Sequence, residues 1–262
     1  MSIAGTDVDE LVVGLEDGVL TLEINRPDSR NSLTADVVDG LHSQIERAGQ
    51  DDSVRCVVLT GRGKAFSSGQ AVGQGPRVMT TEELLRDHYN PLVRAMLELD
   101  KPIVAAVNGV AAGAAASLTL ACDFRVMAEE ARFAFLFVRI GLVPDAGGSW
   151  LLPRLVGHAA ATELMMLGGD VSSTDALRLG LVNRVVPAAE LATGVAEFTS
   201  RLAQGPLAQA LVKRQLRSSR SASLDEQMEV EIAAQVEAAD SADYAEGVAA
   251  FKEKRPARFR GR

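Results

Sequence analysis

In this 262-residue chain, chemistry is most clearly invited at Asp145, in the stretch GLVPDAGGSWLLPRLVG over residues 141–157. A carboxylate among apolar neighbours resists ionisation, so Leu142, Val143 and Phe137 around Asp145 would raise its pKa and make it a stronger base. The competing structural role is a cap on the helix opening at AGGSW, which Asp performs well. Two glycine-bearing loops, GRGKAF at 61–66 and NGVAAGAAAS from residue 108, each follow a buried strand and lead into small residues. Backbone N–H groups at such places lack partners and point outward, which suits them to hold a developing negative oxygen. Neither loop reads as a nucleotide motif. The first lacks the glycine spacing and the Ser/Thr of a P-loop, and the second lacks the second glycine of a dinucleotide fingerprint.

Other polar residues offer less. His42, His88 and His158 have no partner at useful spacing, and Ser67 and Ser68 have no paired base, so packing and loop polarity account for them. Asp123 reads as a strand-entry residue. Cys56 and Cys122 sit inside apolar runs as small core residues, which implies neither a disulfide framework nor a metal site.

Positioning these groups requires a large core, and 47% hydrophobic residues supply one. A net charge of -8 disfavours a nucleic-acid surface. No apolar run approaches the length of a membrane span and no leader is evident, so a cytoplasmic location is expected. Residues 10–25 alternate around EDG as a hairpin with Leu20, Leu22 and Ile24 on one face. A helix carrying Val38, Leu41, Ile45 and Ala48 follows, then a strand VRCVVLTG. The pattern recurs as a helix NPLVRAMLEL, a strand PIVAAVNG, a small-residue helix AAGAAASLTLA, a strand DFRVMA and a short strand near ARFAF. Alternation of strands with helices predicts an α/β fold with a parallel, helix-covered sheet. From about residue 159 the pattern is helical: SSTDALRLG opens on a Ser/Thr cap, and further helices follow Pro187, Pro206 and Ser223.

Taken together, KAFSSGQ, AAVNGVAAGAAASLTLACD, GLVPDAGGSWLLPRLVG and the tail GVAAFKEKR resemble the enoyl-CoA hydratase/isomerase (crotonase) superfamily along essentially the whole chain. Within it, YNPLVRAML, PDAGGSWLLPR and SADYAEGVAAF are similar to the phenylacetate-pathway isomerases of ring-epoxide and enoyl CoA thioesters. The resemblance implies a crotonase-like spiral of repeated ββα units over 1–195 holding the thioester site. It also implies a C-terminal helical region, 196–262, for trimerisation and CoA contact. The expected assembly is a homotrimer or a dimer of trimers. The expected ligand is an acyl-CoA thioester, with no cofactor beyond the CoA of the substrate and no metal.

Carried over by position, the resemblance implies an oxyanion hole made by the backbone N–H groups of Gln70 and Ala114, with Asp145 as the acid/base. It places Ser29, Arg30, Phe251 and Lys254 on CoA, and Val72, Phe137 and Trp150 along the substrate. The two glutamates that hydratases of this family use are replaced by Ser117 and Phe137, and the loop residue after Gln70 is Ala71 where relatives commonly carry Asp. Water addition needs one group to deprotonate water and another to protonate carbon, whereas moving a double bond needs only one carboxylate. The implied activity is therefore an isomerase shifting a double bond or opening a ring epoxide to its oxepin. A hydratase, and a CoA-thioester-binding scaffold without turnover, stand as alternatives.

Overall fold

The computed structural model describes residues 10–71 and 79–261. The chain opens with the expected hairpin, β1 (Leu11–Glu16) and β2 (Val19–Ile24), turned at Asp17–Gly18. Leu20, Leu22 and Ile24 face the core and are nearly inaccessible. Thr34 caps α1 (Ala35–Gln50) by accepting from Val37 N, and the helix buries Val38, Leu41, Ile45 and Ala48 on the sheet side. Strands β3 (Cys56–Gly61) and β4 (Ala65–Ser67) follow, then α2 (Thr81–Glu83), a π-helical turn over Leu84–Tyr89, and α3 (Asn90–Glu98).

The second repeat runs through β5 (Ile103–Val107), β6 (Val110–Ala112), α4 (Ala114–Ala121), β7 (Phe124–Ala128) and β8 (Arg132–Ala134). Every residue of β5 and of α4 is buried. Thereafter come α5 (Gly148–Val156), α6 (His158–Leu167), β9 (Asp170–Ser172), α7 (Ser173–Arg178), β10 (Arg184–Val186), α8 (Leu191–Ala203), α9 (Ala208–Ser218), α10 (Leu224–Ala239) and α11 (Ala242–Glu253). Two sheets result. One has the order β1-β2-β3-β5-β7-β10, parallel except for the hairpin, and the other the order β4-β6-β8-β9.

Three features depart from the periodicity. The region read as purely helical contains β9, antiparallel to β8, and β10, parallel to β7; each is three residues long, too short for alternation to register. The small-residue segment begins as strand β6 and turns helical only at Ala114. The division expected at 195 falls inside α8, whose buried face carries Leu191 and Val195 onto the main sheet.

Buried Arg125 fixes the far end of α4. Its guanidinium donates to the carbonyls of Thr119 (3.1 Å) and Cys122 (2.6 Å) and to that of Leu181, satisfying acceptors that a helix C-terminus leaves open. Asp123 is a strand-entry residue as expected: its Oδ2 accepts from Ile103 N at 2.8 Å and from Lys213 Nζ at 2.7 Å, tying α9 to the start of β5. Among the described residues no helix is long and apolar enough to cross a membrane.

Candidate active site

The site is assembled where β4 and β6 end side by side. Ser67 pairs in register with Ala111, so the chain beyond β4 passes directly over the turn that starts α4. Gly69 makes that passage possible. It holds φ +86°, and a Cβ there would lie 2.6 Å from Ala112 O and 3.7 Å from Ala114 N, a space only glycine leaves open. The peptide that follows is pinned from the other side, because Leu33 N donates to Gly69 O (2.8 Å) and Ala71 N donates to Leu33 O (2.9 Å). The Gln70 N–H between them has no acceptor among the described residues.

Ala114 is the first residue of α4, with Gly113 (φ 52°) as N-cap and no side chain capping the helix. Its N–H is therefore one of the donors a helix start leaves without an internal acceptor, and none is supplied by the described residues. Two unengaged amides thus emerge from neighbouring loops, one carrying the partial positive charge of a helix N-terminus. The Phe137 ring lies beside this turn, its Cζ about 4.0 Å from where a Gly113 Cβ would sit. Phe137 is buried.

Asp145 sits in the turn before α5. Its backbone carbonyl accepts from Gly148 N at 2.8 Å, and Ala146, which is buried, adopts φ +48°, a left-handed conformation costly for a residue with a Cβ. The helix-cap role is excluded: the N-cap of α5 is Gly147 and no side chain caps it. Instead, Asp145 Oδ1 is buried without any hydrogen-bond partner among the described residues. Burial pushes its carboxyl up to about 6, opposed only by its own backbone amide. Two of the expected neighbours do not bury it. Leu142 and Val143 are 49% and 76% exposed and contribute little, whereas the adjoining turn packs on Val93 and Leu151.

Ser117 completes this wall. A Cβ on Gly148 would fall 2.4 Å from Ser117 Oγ, so α5 rests on α4 at the residue that stands where the resemblance implies a hydratase glutamate. Ser117 is fully buried and its Oγ also lacks a partner among the described residues. Gly148 faces Ser117, and Trp150, two residues on, is rotated about 200° around the helix from that contact. Its partly exposed ring is covered by the guanidiniums of Arg154 (3.9 Å) and Arg220 (5.2 Å). Those arginines line a separate cavity of about 750 Å³ between α4, α5 and α9, to which Gln70, Ala114 and Asp145 do not contribute.

One buried group in the site is invisible to motif reasoning. Tyr89, 1% exposed, ends the π-helical turn and donates its hydroxyl to Gln70 Oε1 at 2.6 Å. Burial, and then the charge of Asp145, push its phenol far above the usual range, which sets Tyr89 and Asp145 in one electrostatic neighbourhood. The only available signal was a tyrosine amid a helical run, since a buried phenol needs a partner. By contrast His88 lies at the surface with Asp39 Oδ1 2.7 Å from Nδ1, a partner 49 residues away that spacing could not reveal.

The early loop joins the site through its backbone. Ser68 N donates to Arg30 O (2.9 Å) and Ser68 Oγ donates to Ser29 O (3.0 Å). Arg30 and Asn31 both hold positive φ, and buried Asn31 anchors them by donating to the carbonyls of Arg62 and Ala65. Phe251, 86% exposed, stands on the C-terminal helix α11, and exposed Lys254 caps its C-terminus, with no hydrogen bond or ion pair to the Ser29–Gln70 loops among the described residues. Val72 lies outside the described residues. Among the described residues no cluster of three or more His, Cys, Asp or Glu is arranged to hold a metal ion.

The family model for enoyl-CoA hydratase/isomerase matches residues 14–262. The chain is 39% identical over 257 residues, 95% of its length and 97% of the relative's, to the 1,2-epoxyphenylacetyl-CoA isomerase of Escherichia coli K12. It is 40% identical over 250 residues, 95% and 96% of the two lengths, to a Rhodobacter capsulatus protein named "probable enoyl-CoA hydratase". The enoyl-CoA hydratase structure from Bacillus anthracis superposes with a TM-score of 0.89 at 32% identity, covering 97% of this chain and 100% of that one.

Proposed function

The chain belongs to the enoyl-CoA hydratase/isomerase family, and on that premise we propose that it is the isomerase type of member, moving a double bond in a CoA thioester through an enolate. The observation that carries this reading is the Asp145 carboxyl, raised to about 6 by burial, with its Oδ1 buried and without a partner among the described residues, beside residues 117 and 137 that bear no acid.

For a 3-enoyl thioester the steps balance on one carboxylate. Asp145 accepts the α-proton, and the C–H electrons flow to the thioester oxygen as the carbonyl π bond opens. The resulting dienolate oxygen takes hydrogen bonds from the N–H groups of Gln70 and Ala114. Asp145-H then returns its proton to the γ-carbon, the carbonyl reforms, and the double bond lies between the α- and β-carbons. Two preorganised amides stabilise the charge only as it develops, which lowers the barrier without tightening the ground state. Phe137 packs beside the acyl group, and Ser29, Arg30 and, from the C-terminal helix, Phe251 and Lys254 serve the CoA moiety. The similarity to the E. coli relative extends the candidate substrates to a ring-epoxide thioester.

Hydration is the second reading, favoured by the identity to the Rhodobacter protein. It lacks a second acid at Ser117 or Phe137. A binding scaffold without turnover has no use for a carboxyl whose Oδ1 is buried without a partner among the described residues.

The assembly we propose is a trimer or a dimer of trimers. Along α10, Leu224, Met228, Ile232 and Val236 recur every fourth residue and are all exposed, forming one apolar stripe that water contacts in the single chain. The reading is tested by supplying 3-enoyl-CoA and 2-enoyl-CoA side by side. Interconversion of the two without net water uptake supports the isomerase, hydration of 2-enoyl-CoA as the dominant reaction supports the hydratase, and inertness toward both supports the scaffold.

A further inference from the structure

The proposed site leaves Tyr89 unassigned, and its placement is not what packing alone requires. A π-helical turn is rare and recurs at functional sites because the added residue redirects the side chains that follow it. Here it delivers a phenol to the back of the loop that carries Gln70. The hydroxyl has one proton, and at 2.6 Å that proton is committed to Gln70 Oε1, a contact at the short end for an O–H donor. With the phenol pushed strongly upward, the donor persists at any working pH. Gln70 is consequently held at two points. The Leu33 ladder grips the carbonyl before it and the amide after it, and Tyr89 grips its side chain.

We propose that Tyr89 is a positioning residue that acts through Gln70. The Leu33 bond to Gly69 O already sets the plane of the Gly69–Gln70 peptide, and locking the Gln70 side chain adds a second anchor that narrows the residual tilt of its N–H toward the thioester oxygen. This rests on the oxyanion role given to Gln70 above. Gly69 makes the lock necessary, because a glycine at φ +86° has wide conformational freedom on that side of the map. A loop that must aim a donor to within tenths of an ångström beside such a residue needs an outside support.

The test uses crotonyl-CoA carrying ¹³C at the thioester carbonyl, with the full-length protein. Isotope-edited infrared difference spectra read the polarisation of the bound carbonyl without requiring turnover, and a thermal melt accompanies each variant. Tyr89→Phe keeps the ring and deletes the hydroxyl; Gln70→Met keeps the loop residue's length, removes the acceptor and leaves Tyr89 intact. Each is expected to move the carbonyl band back toward that of free thioester. Each should lower kcat on 3-enoyl-CoA by about tenfold or more, with KM changed by less than about twofold, below the full loss of an oxyanion donor. The double variant should be no worse than the worse single, since both break one link. A purely structural tyrosine would lower the melting temperature and leave the band in place. A folded Tyr89→Phe with the wild-type band, or losses that multiply in the double variant, would overturn the proposal. Should Tyr89→Phe fail to fold, the Gln70→Met band decides alone. If wild type polarises the carbonyl but isomerises no enoyl-CoA, the functional reading fails, and the band shifts still decide this one.

Discussion

Asp145 and Ser117 meet at a single residue, Gly148: the carbonyl of Asp145 accepts from its N–H, and Ser117 Oγ occupies the space its side chain would need. Both residues also carry a buried oxygen without a partner among the described residues. Burying an unpaired polar atom costs about 1–3 kcal/mol, so two at one contact mark a place where stability has yielded to something else.

Replacing Asp145 by Asn keeps the shape and removes the base. We expect isomerisation, and exchange of substrate α- or γ-hydrogen with deuterated solvent, to fall by roughly 10²- to 10⁴-fold, with thioester affinity within a few-fold of wild type. Single-turnover kinetics and calorimetry read the two quantities separately. Wild-type exchange in a folded Asp145→Asn protein would remove this residue from the mechanism.

The same substitution should stabilise the fold above neutrality. Asp145 titrates near 6 in the native state and near 3.8 when unfolded, so between those values the native state binds more protons and stability declines as pH rises. Asn is never charged and escapes that loss. A gain on the order of 2 kcal/mol is expected at pH 7.5 and little at pH 4, measured by urea denaturation at both pH values. An equal change at the two would contradict the burial argument.

On the proposed mechanism the ionised carboxylate is the active form. The logarithm of kcat/KM should be flat at alkaline pH and fall with unit slope below about 6. A limb near the ordinary aspartate value, 3.8, would mean that another group is the base.

Ala114→Pro isolates one amide. Position 114 begins α4, and the first helical position accepts proline without disturbing the turns that follow. The larger ring at this buried position should lower stability, so a thermal melt accompanies the assay, and in the folded variant turnover should drop by about 10²-fold or more. Full activity in a folded variant would assign the oxyanion to other donors.

On the assembly, sedimentation at micromolar concentration should give a trimer or hexamer, and Ile232→Asp, at the centre of the α10 stripe, should shift it toward smaller species. A monomeric wild type would leave the stripe unexplained.

How much of this could be read from residues alone depended on the distance over which each feature is encoded. The hairpin, α1 and β5 were legible because their periodicity is local and strong. Asp145 stood out because a lone carboxylate among glycine and proline is locally anomalous, yet the neighbours expected to bury it, Leu142 and Val143, point to solvent, and Val93 and Leu151 enclose its turn instead. Trp150 was placed along the substrate by resemblance, but helical geometry turns it away from Ser117 once Gly148 is known to face that residue. Tyr89 escaped notice because its partner, Gln70, is 19 residues away across a loop and a π-helical turn, and neither leaves a periodic trace. Strands β9 and β10 exist through pairing with β8 and β7, which is a property of the sheet and not of three residues.

The burial of all eight residues of α4 bears on how a family of this kind can diversify. A side chain on that helix cannot change size without a compensating change in a neighbour, because close-packed interiors resist both voids and overfilling. Single substitutions that change side-chain size on α4 should therefore be poorly tolerated. Innovation is left to positions outside that helix: the ring at 137 and the turn that holds 145. On the proposed function, new reactions on this scaffold should arise by exchanging which acid stands opposite the Gln70 and Ala114 amides, and directed-evolution libraries confined to 137 and 145 should yield more active variants per clone than libraries spread over α4.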